Sequence, residues 1–177
     1  MIKENNIRIE KLDLKHTSSI YNLTESNREY LKEWLPWLDK INSSNDTKKF
    51  IEYTLEEFKK ELAFHFVILY ENEVCGIISF NEIKKDNGIG YIGYWIAKSY
   101  SNKGIASFCV KKLLDIGFKK LNLNKIEIRC AQNNHKSIAI PKKLGFTYEG
   151  TLRQNEWLYT KYVNQVVYSM LKEEYNS

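Results

Sequence analysis

The sequence predicts a mixed α/β domain with one twisted, mostly antiparallel central sheet flanked by helices. Three observations predict it. Residues 64–70, 75–83 and 90–96 are apolar, strand-prone runs joined by short polar turns, which should form an antiparallel meander. A long helical period from Ile105 is followed by an alternating run at 125–131, and a strand–helix–strand passage favours a parallel neighbour. Helical periods fill most of the N-terminal third. With 177 residues the chain is long enough for one well-packed domain, expected over 1–177, and short for two.

Taken in order, residues 7–12 alternate and read as a first strand. Residues 16–26 carry Ile20, Tyr21 and Leu23, a short helix with Thr17 or Ser18 near its cap. Residues 27–35 read as a second helix that Pro36 ends. Asp46 is the expected cap of a third helix, in which Ile51, Leu55, Phe58 and Leu62 share a face. After the meander, Ala106, Val110, Leu113, Gly117 and Leu121 fall on one face of the long helix, with lysines largely off it. Residues 137–144 form a short helix, and 146–152 and 166–171 the last strands. The order is β-α-α-α-β-β-β-α-β-α-β-β.

Composition narrows the function classes. Hydrophobic content of 43% and charged content of 28% are those of a soluble globular protein. The net charge of +5 suits an anionic ligand, but without a basic–aromatic strip it does not point to nucleic acid. Cys75, Cys109 and Cys130 lie in apolar runs without metal-ligand spacing and read as buried free thiols of a reducing compartment. His16, His65 and His135 are scattered, so no metal is expected. No apolar stretch has membrane-spanning length and no signal-peptide pattern opens the chain, so a cytoplasmic protein is expected.

The stretch from Tyr94 to Ser107 organises the rest. Tyr94, Trp95, Ile96 and Ala97 end a strand; Ser101, Asn102, Lys103 and Gly104 make a polar turn; Ile105, Ala106 and Ser107 open the long helix. Free amides at a helix N-terminus, reinforced by the helix dipole, make a ready phosphate site. A purely structural turn has the same spacing. Downstream stand Asn134-His135-Lys136-Ser137 and Lys143-Leu144-Gly145-Phe146. Read locally, Asn134 ends a strand and Ser137 caps the next helix. Asn134 also offers a donor and an acceptor to an amide-bearing ligand.

With these motifs in place, the chain resembles the GNAT superfamily of acyl-CoA-dependent N-acyltransferases over nearly its whole length. It is most similar to the RimJ/RimL-like branch, which acetylates ribosomal-protein N-termini. The resemblance implies acetyl-CoA as co-substrate, held by residues 94–97, by the loop 101–107 and by Asn134 and Ser137. Asn134 would hold the pantetheine arm, and Ser137 would assist the departing thiol. Many relatives place a Tyr acid where this chain has Pro141, and a Glu base where it has Tyr91. Tyr91, with an ordinary pKa of about 10, is a poor base, which leaves base work to another group or to ordered water. The loop's usual Q/R is Ser101 and its first Gly is Asn102, a residue that tolerates left-handed backbone.

The cluster Trp34-Leu35-Pro36-Trp37 resembles the acceptor-side helix of that branch, so Trp34 and Trp37 are candidate substrate contacts; both equally suit a core plug. Lys142 and Lys143 read as a solvated face, with contact to the CoA 3′-phosphate as the lesser alternative, and Glu149 as a surface residue, with a general base as the lesser alternative. The expected partner is an amine acceptor, foremost a ribosomal-protein N-terminus, with homodimerisation left open and no membrane or direct nucleic-acid contact. The alternatives are a polyamine, amino acid or antibiotic amine as acceptor, or a CoA-binding regulator without turnover.

Overall fold

A computed structural model describes residues 6–175. The strands are β1 (Ile7–Lys11), β2 (Phe64–Tyr70), β3 (Glu73–Lys84), β4 (Ile89–Ile96), β5 (Lys125–Ala131), β6 (Thr147–Leu158) and β7 (Lys161–Leu171). The helices are α1 (Thr17–Ser26), α2 (Arg28–Lys32), α3 (Ser44–Lys59), α4 (Ile105–Asp115), α5 (His135–Lys143) and the short α6 (Lys172–Tyr175). The strands form one sheet in the order β1-β2-β3-β4-β5-β7-β6. Among the described residues only β4 and β5 run parallel; the other neighbours are antiparallel.

The sheet has a helical layer on each face. Ile51 of α3 and Ile20 of α1 pack with Leu12, Val67, Leu69 and Ile77 on one side. Ile105, Cys109, Val110, Leu113 and Leu114 of α4 and Ile138 of α5 pack on the other with Ile68, Ile78, Phe80, Ile126 and Ile128. Each such side chain contributes about 1.5–3 kcal/mol by leaving water, so the two layers hold the sheet rigid beneath the site. On β5, Ile126, Ile128 and Cys130 face the core, while Lys125, Glu127 and Arg129 face the other way and pair at 3.3 and 3.0 Å.

Several local expectations change. The α3 cap is Ser43, whose Oγ accepts from Asp46 N–H at 3.3 Å. Asp46 sits inside the first turn, where its carboxylate accepts from Ser43 Oγ–H at 2.8 Å and from Asn42 N–H at 3.1 Å, a reciprocal cap. No side chain caps α1; Thr17 Oγ1 donates back to Leu14 O at 2.6 Å. Leu62 lies beyond α3 and is exposed, because Glu61 reverses the chain at φ +58°. The regular part of α4 ends at Asp115, and residues 116–120 form a wider π turn. The final hairpin is much longer than expected: β6 and β7 run on through the polar residues 153–165 at the sheet edge, where exposure leaves no apolar alternation to read.

Candidate active site

The one parallel pair creates the site. β4 and β5 are in register from Ile89↔Lys125 to Ile92↔Ile128, and beyond that point they part. β4 continues beside β3 as far as Gly76↔Ile96, and β5 beside β7 as far as Ala131↔Gln165. The gap thus opens at the carboxyl ends of two parallel strands, where α/β sheets bind ligands. Ala97 N–H donates to Cys75 O at 2.9 Å. Antiparallel alternation then turns the main-chain groups of Tyr94 and Ile96 toward the gap.

A cavity of about 520 Å³ runs from the gap between α4 and α5. Tyr94, Trp95, Ile96, Ser101, Asn102, Lys103, Gly104, Ile105, Ala106, Ser107, Asn134 and Ser137 all line it. Ala97 does not: it is buried and its amide is already bonded to β3. Asn102 and Gly104 take left-handed backbone at φ +60° and +80°. The first hydrogen bond of α4 is Phe108 N–H to Gly104 O at 3.0 Å, so the amides of Ile105, Ala106 and Ser107 have no helical acceptor. A Cβ built on Gly104 would meet nothing within 4 Å, so the loop's outer face is open. Lys103, Lys136 and Lys143 add positive charge around it. Ser101, in place of the usual long side chain, is bonded to the Tyr30 hydroxyl at 2.9 Å, and Lys98 N–H donates to Asn27 Oδ1 at 2.9 Å, which ties the loop to α2.

A second cavity of about 780 Å³ opens on the opposite face, beneath α1, α3 and the segment 34–37. Trp34 lines both cavities and Trp37 the second, where its ring lies 6.4 Å from that of Trp95 at a tilt of 55°. Neither tryptophan is buried; Leu31 and Leu38 plug the core there instead. The two cavities meet at Trp34, Leu35, Tyr94, Trp95, Asn134 and Ser137.

At that junction the local chemistry is specific. Asn134, not Ser137, caps α5: its Oδ1 accepts from Ser137 N–H at 3.1 Å. The Ser137 hydroxyl is therefore free of helix duty. It lies 3.3 Å from Tyr94 Oη, to which it donates, and 3.2 Å from Cys130 Sγ. Pro141 sits inside α5 and has no N–H for the carbonyl four residues earlier, which is that of Ser137. The Tyr94 hydroxyl donates to this carbonyl at 3.0 Å. Burial holds the Tyr94 phenol well above its ordinary value and raises the Cys130 thiol, so both keep their protons. Cys75 and Cys109 are also buried free thiols, pushed up to about 12 by burial.

The chain matches the acetyltransferase (GNAT) domain over residues 6–147. It belongs to the GNAT acetyltransferase family. Among its relatives, the ribosomal-protein-serine acetyltransferase of Escherichia coli (strain K12) is 30% identical over 156 residues, which cover 88% of this chain and 87% of that one. Among solved structures, the microcin C7 self-immunity acetyltransferase MccE, in complex with acetyl-CoA and AMP, superposes with a TM-score of 0.90 at 30% identity, covering 94% of this chain and 93% of that one. The ribosomal L7/L12 α-N-protein acetyltransferase RimL, in complex with coenzyme A, superposes with a TM-score of 0.92 at 26% identity, covering 96% of each chain. This GNAT chain is thus an N-acetyltransferase with the mixed α/β fold of that family.

Several residues of the second cavity were given no role in the sequence; His65 was read there only as a scattered histidine. Glu156 lines it, and burial raises its carboxyl above the ordinary range. His65 lines it too; burial lowers its imidazole to about 4, and its Nδ1 has no partner. Asn81, Glu82 and Arg129 complete the polar wall, with the Arg129 guanidinium 4.8 Å from the Tyr91 ring centre. Tyr91, which also lines the cavity, carried a signal through the resemblance, as the place where many family members have Glu. Among the described residues, no three or more His, Cys, Asp or Glu side chains gather as a metal site, and no helix is long and apolar enough to cross a membrane.

Proposed function

We propose that this protein transfers the acetyl group of acetyl-CoA to the amine of a protein or peptide N-terminus. The observation that carries the reading is the meeting of two cavities at Tyr94, Asn134 and Ser137: one is amide-rich and basic, the other roomy and aromatic, with Glu82 and Glu156 beside Lys40 and Arg129 in its wall. The first fits a long anionic thioester. The amides of Ile105, Ala106 and Ser107 would receive the pyrophosphate, with Lys103, Lys136 and Lys143 screening its charge. When bound, acetyl-CoA supplies an activated acyl group on a thiol leaving group.

The chain's own groups do the rest. The amides of Tyr94 and Ile96, unpaired on the side of the gap, are placed to stabilise charge on a carbonyl oxygen. Ser137 Oγ–H turns from Tyr94 toward the departing sulfur, exchanging a long neutral hydrogen bond for a charge-assisted one, about twice as strong. The thiol's ordinary pKa of about 8.5 makes that help sufficient. An arriving α-amine is mostly ammonium below its pKa of about 7.7–8.0 and must lose a proton before attack. Glu156, a half-buried carboxylate with a raised proton affinity on the acceptor side, takes that proton, directly or through a water. Trp34 and Trp37 wall the acceptor's path.

A second reading keeps the chemistry and changes the acceptor to a small-molecule amine. The similarity to the microcin self-immunity enzyme favours it. The experiment is acetyl-CoA consumption against N-terminal peptides, including ribosomal-protein N-termini, beside polyamines, amino acids and aminoglycosides. Turnover fastest with peptides supports the first reading, and turnover confined to small amines selects the second. No thermal stabilisation by millimolar CoA would remove the acetyltransferase reading altogether.

A further inference from the structure

The β3–β4 ladder slips at one point. Phe80 opposes Ile92 and Glu82 opposes Tyr91, which makes Asn81 the extra residue of a β-bulge. A bulge breaks the alternation of faces and re-aims side chains. Phe80 and Ile83 both face the core, and between them Asn81 and Glu82 both turn into the acceptor cavity.

The Asn81 amide is held in one orientation. Its Oδ1 lies 2.6 Å from Ser79 Oγ. That separation fits O–H···O and is short for N–H···O. Ser79, itself buried, therefore donates to Oδ1 and leaves the NH₂ end turned away. The amide rests on β4: a Cβ built on Gly93 would fall 2.3 Å from Asn81 Nδ2. Glycine at 93 thus lets a polar side chain lie across the strand next to Tyr94, about 3.3 Å per residue from the junction of the cavities. Among the described residues no acceptor engages Nδ2.

We propose that Asn81 is a specificity-determining residue: its Nδ2 donates to the carbonyl oxygen next to the carbon that bears the acceptor amine. The site then selects α-amino acyl compounds, a peptide N-terminus or an amino-acid amide, over polyamines and alkyl amines. This rests on the acetyl-transfer reading above. The carbonyl carbon of an α-amino acyl group is the second atom from its nitrogen, so an amine at the junction places that oxygen beside Gly93. A polyamine presents methylenes there and forgoes this hydrogen bond; Asn81 is exposed, so water takes its place and the preference is the net worth of one hydrogen bond. Glu82, its neighbour on the bulge, adds a carboxylate that attracts the incoming ammonium.

The test compares a short peptide amide with spermidine and sec-butylamine, each at matched free-base concentration, in wild type, Asn81→Ala and Ser79→Ala. Asn81→Ala should lower kcat/KM for the peptide by about 10-fold, the worth of one good hydrogen bond, and leave sec-butylamine within about 2-fold. Ser79→Ala, which frees the amide to flip, should give a smaller loss with the peptide only. The thermal shift with CoA should be unchanged in both variants, which excludes general unfolding. Equal losses on all amines, or a wild type without preference for the peptide, overturns the proposal. If no amine is acetylated, the transfer reading itself fails. Calorimetric binding of the peptide to the CoA-loaded protein then decides the role of Asn81, and an Asn81→Ala affinity equal to wild type rejects it.

Discussion

The cofactor half and the acceptor half of the site are built in opposite ways. The first cavity is lined mainly by two short stretches, 94–107 and 133–143, each a strand end running into a helix start. Its chemistry is mostly main-chain: orphan amides, two left-handed turn residues and one asparagine cap. The second cavity gathers residues from α1, segment 34–41, α3, β2, β3, β4, β5, β6 and β7. Its chemistry is carried by single side chains whose neighbours are distant in sequence. A ligand that is always the same can be held by a contiguous backbone motif. An acceptor that varies is met by side chains free to vary one at a time.

Gly104→Val strikes the backbone half and should have the largest effect. It forces a β-branched residue to φ +80°, at a cost of roughly 1–2 kcal/mol, and fills the space above the free amides. Wild type should gain about 2.7 kcal/mol at a CoA concentration 100 times Kd. The variant, shown folded by circular dichroism, should gain nothing at the same concentration. A retained shift would place the pyrophosphate elsewhere and break the contrast.

Glu156→Gln strikes the side-chain half. At neutral pH it should slow turnover by about 100-fold, at the low end for acid–base groups, with the CoA shift intact. Part of the loss should be recovered at higher pH, where the amine is already deprotonated. Stability should move the other way. The folded state raises the Glu156 carboxyl above its unfolded value. That group's contribution is most favourable below the ordinary glutamate pKa of about 4.3 and declines as pH rises through the raised value. The glutamine variant should therefore melt higher than wild type at neutral pH, and the difference should shrink on acidification. A variant less stable at every pH would show that the charged carboxylate is held by favourable partners and is no base in waiting.

The same contrast explains what could be read in the sequence. The meander, α4 and β5 were legible because each carries a full period of apolar residues that the core uses, as with Ile126, Ile128 and Cys130. The loop 101–107 was legible because glycine and small polar residues at a helix start have a local meaning. Glu156 was not, because it lies in an exposed edge strand after a second ladder slip between Leu152 and Glu156, where polar residues leave no period. Asn81 was not, because its role depends on a bulge and on a glycine one strand away. Trp34 and Trp37 were legible as a pair but not as cavity wall rather than core plug, because Leu31 and Leu38, which fill the core, carry the same apolar signal in the same stretch.

Ser137→Ala tests the junction between the halves. Asn134 is the cap of α5, so loss of the Ser137 hydroxyl removes no helix hydrogen bond. Stability should change little, while the single-turnover rate should fall by about 10- to 100-fold and acetyl-CoA affinity should hold. An unchanged rate would leave the sulfur to solvent or to the Cys130 thiol.

The smallest effect concerns how this chain supports Ser137 without a tyrosine at 141. Pro141 leaves the Ser137 carbonyl without its helical donor, and the Tyr94 hydroxyl supplies one from β4. Tyr94→Phe should therefore cost about 1 kcal/mol, the net worth of one hydrogen bond to a partly buried acceptor. Pro141→Ala returns an N–H to the same carbonyl, though it also removes a buried ring. If the two donors serve one acceptor, the double variant should be more stable than the sum of the single changes by about 1 kcal/mol. Turnover in Tyr94→Phe should drop only a few-fold, because Asn134 and Cys130 still hold Ser137 in place. Strict additivity in chemical denaturation would mean that Tyr94 and residue 141 act independently. A large loss of turnover with little loss of stability would instead move the phenol from support into the chemistry.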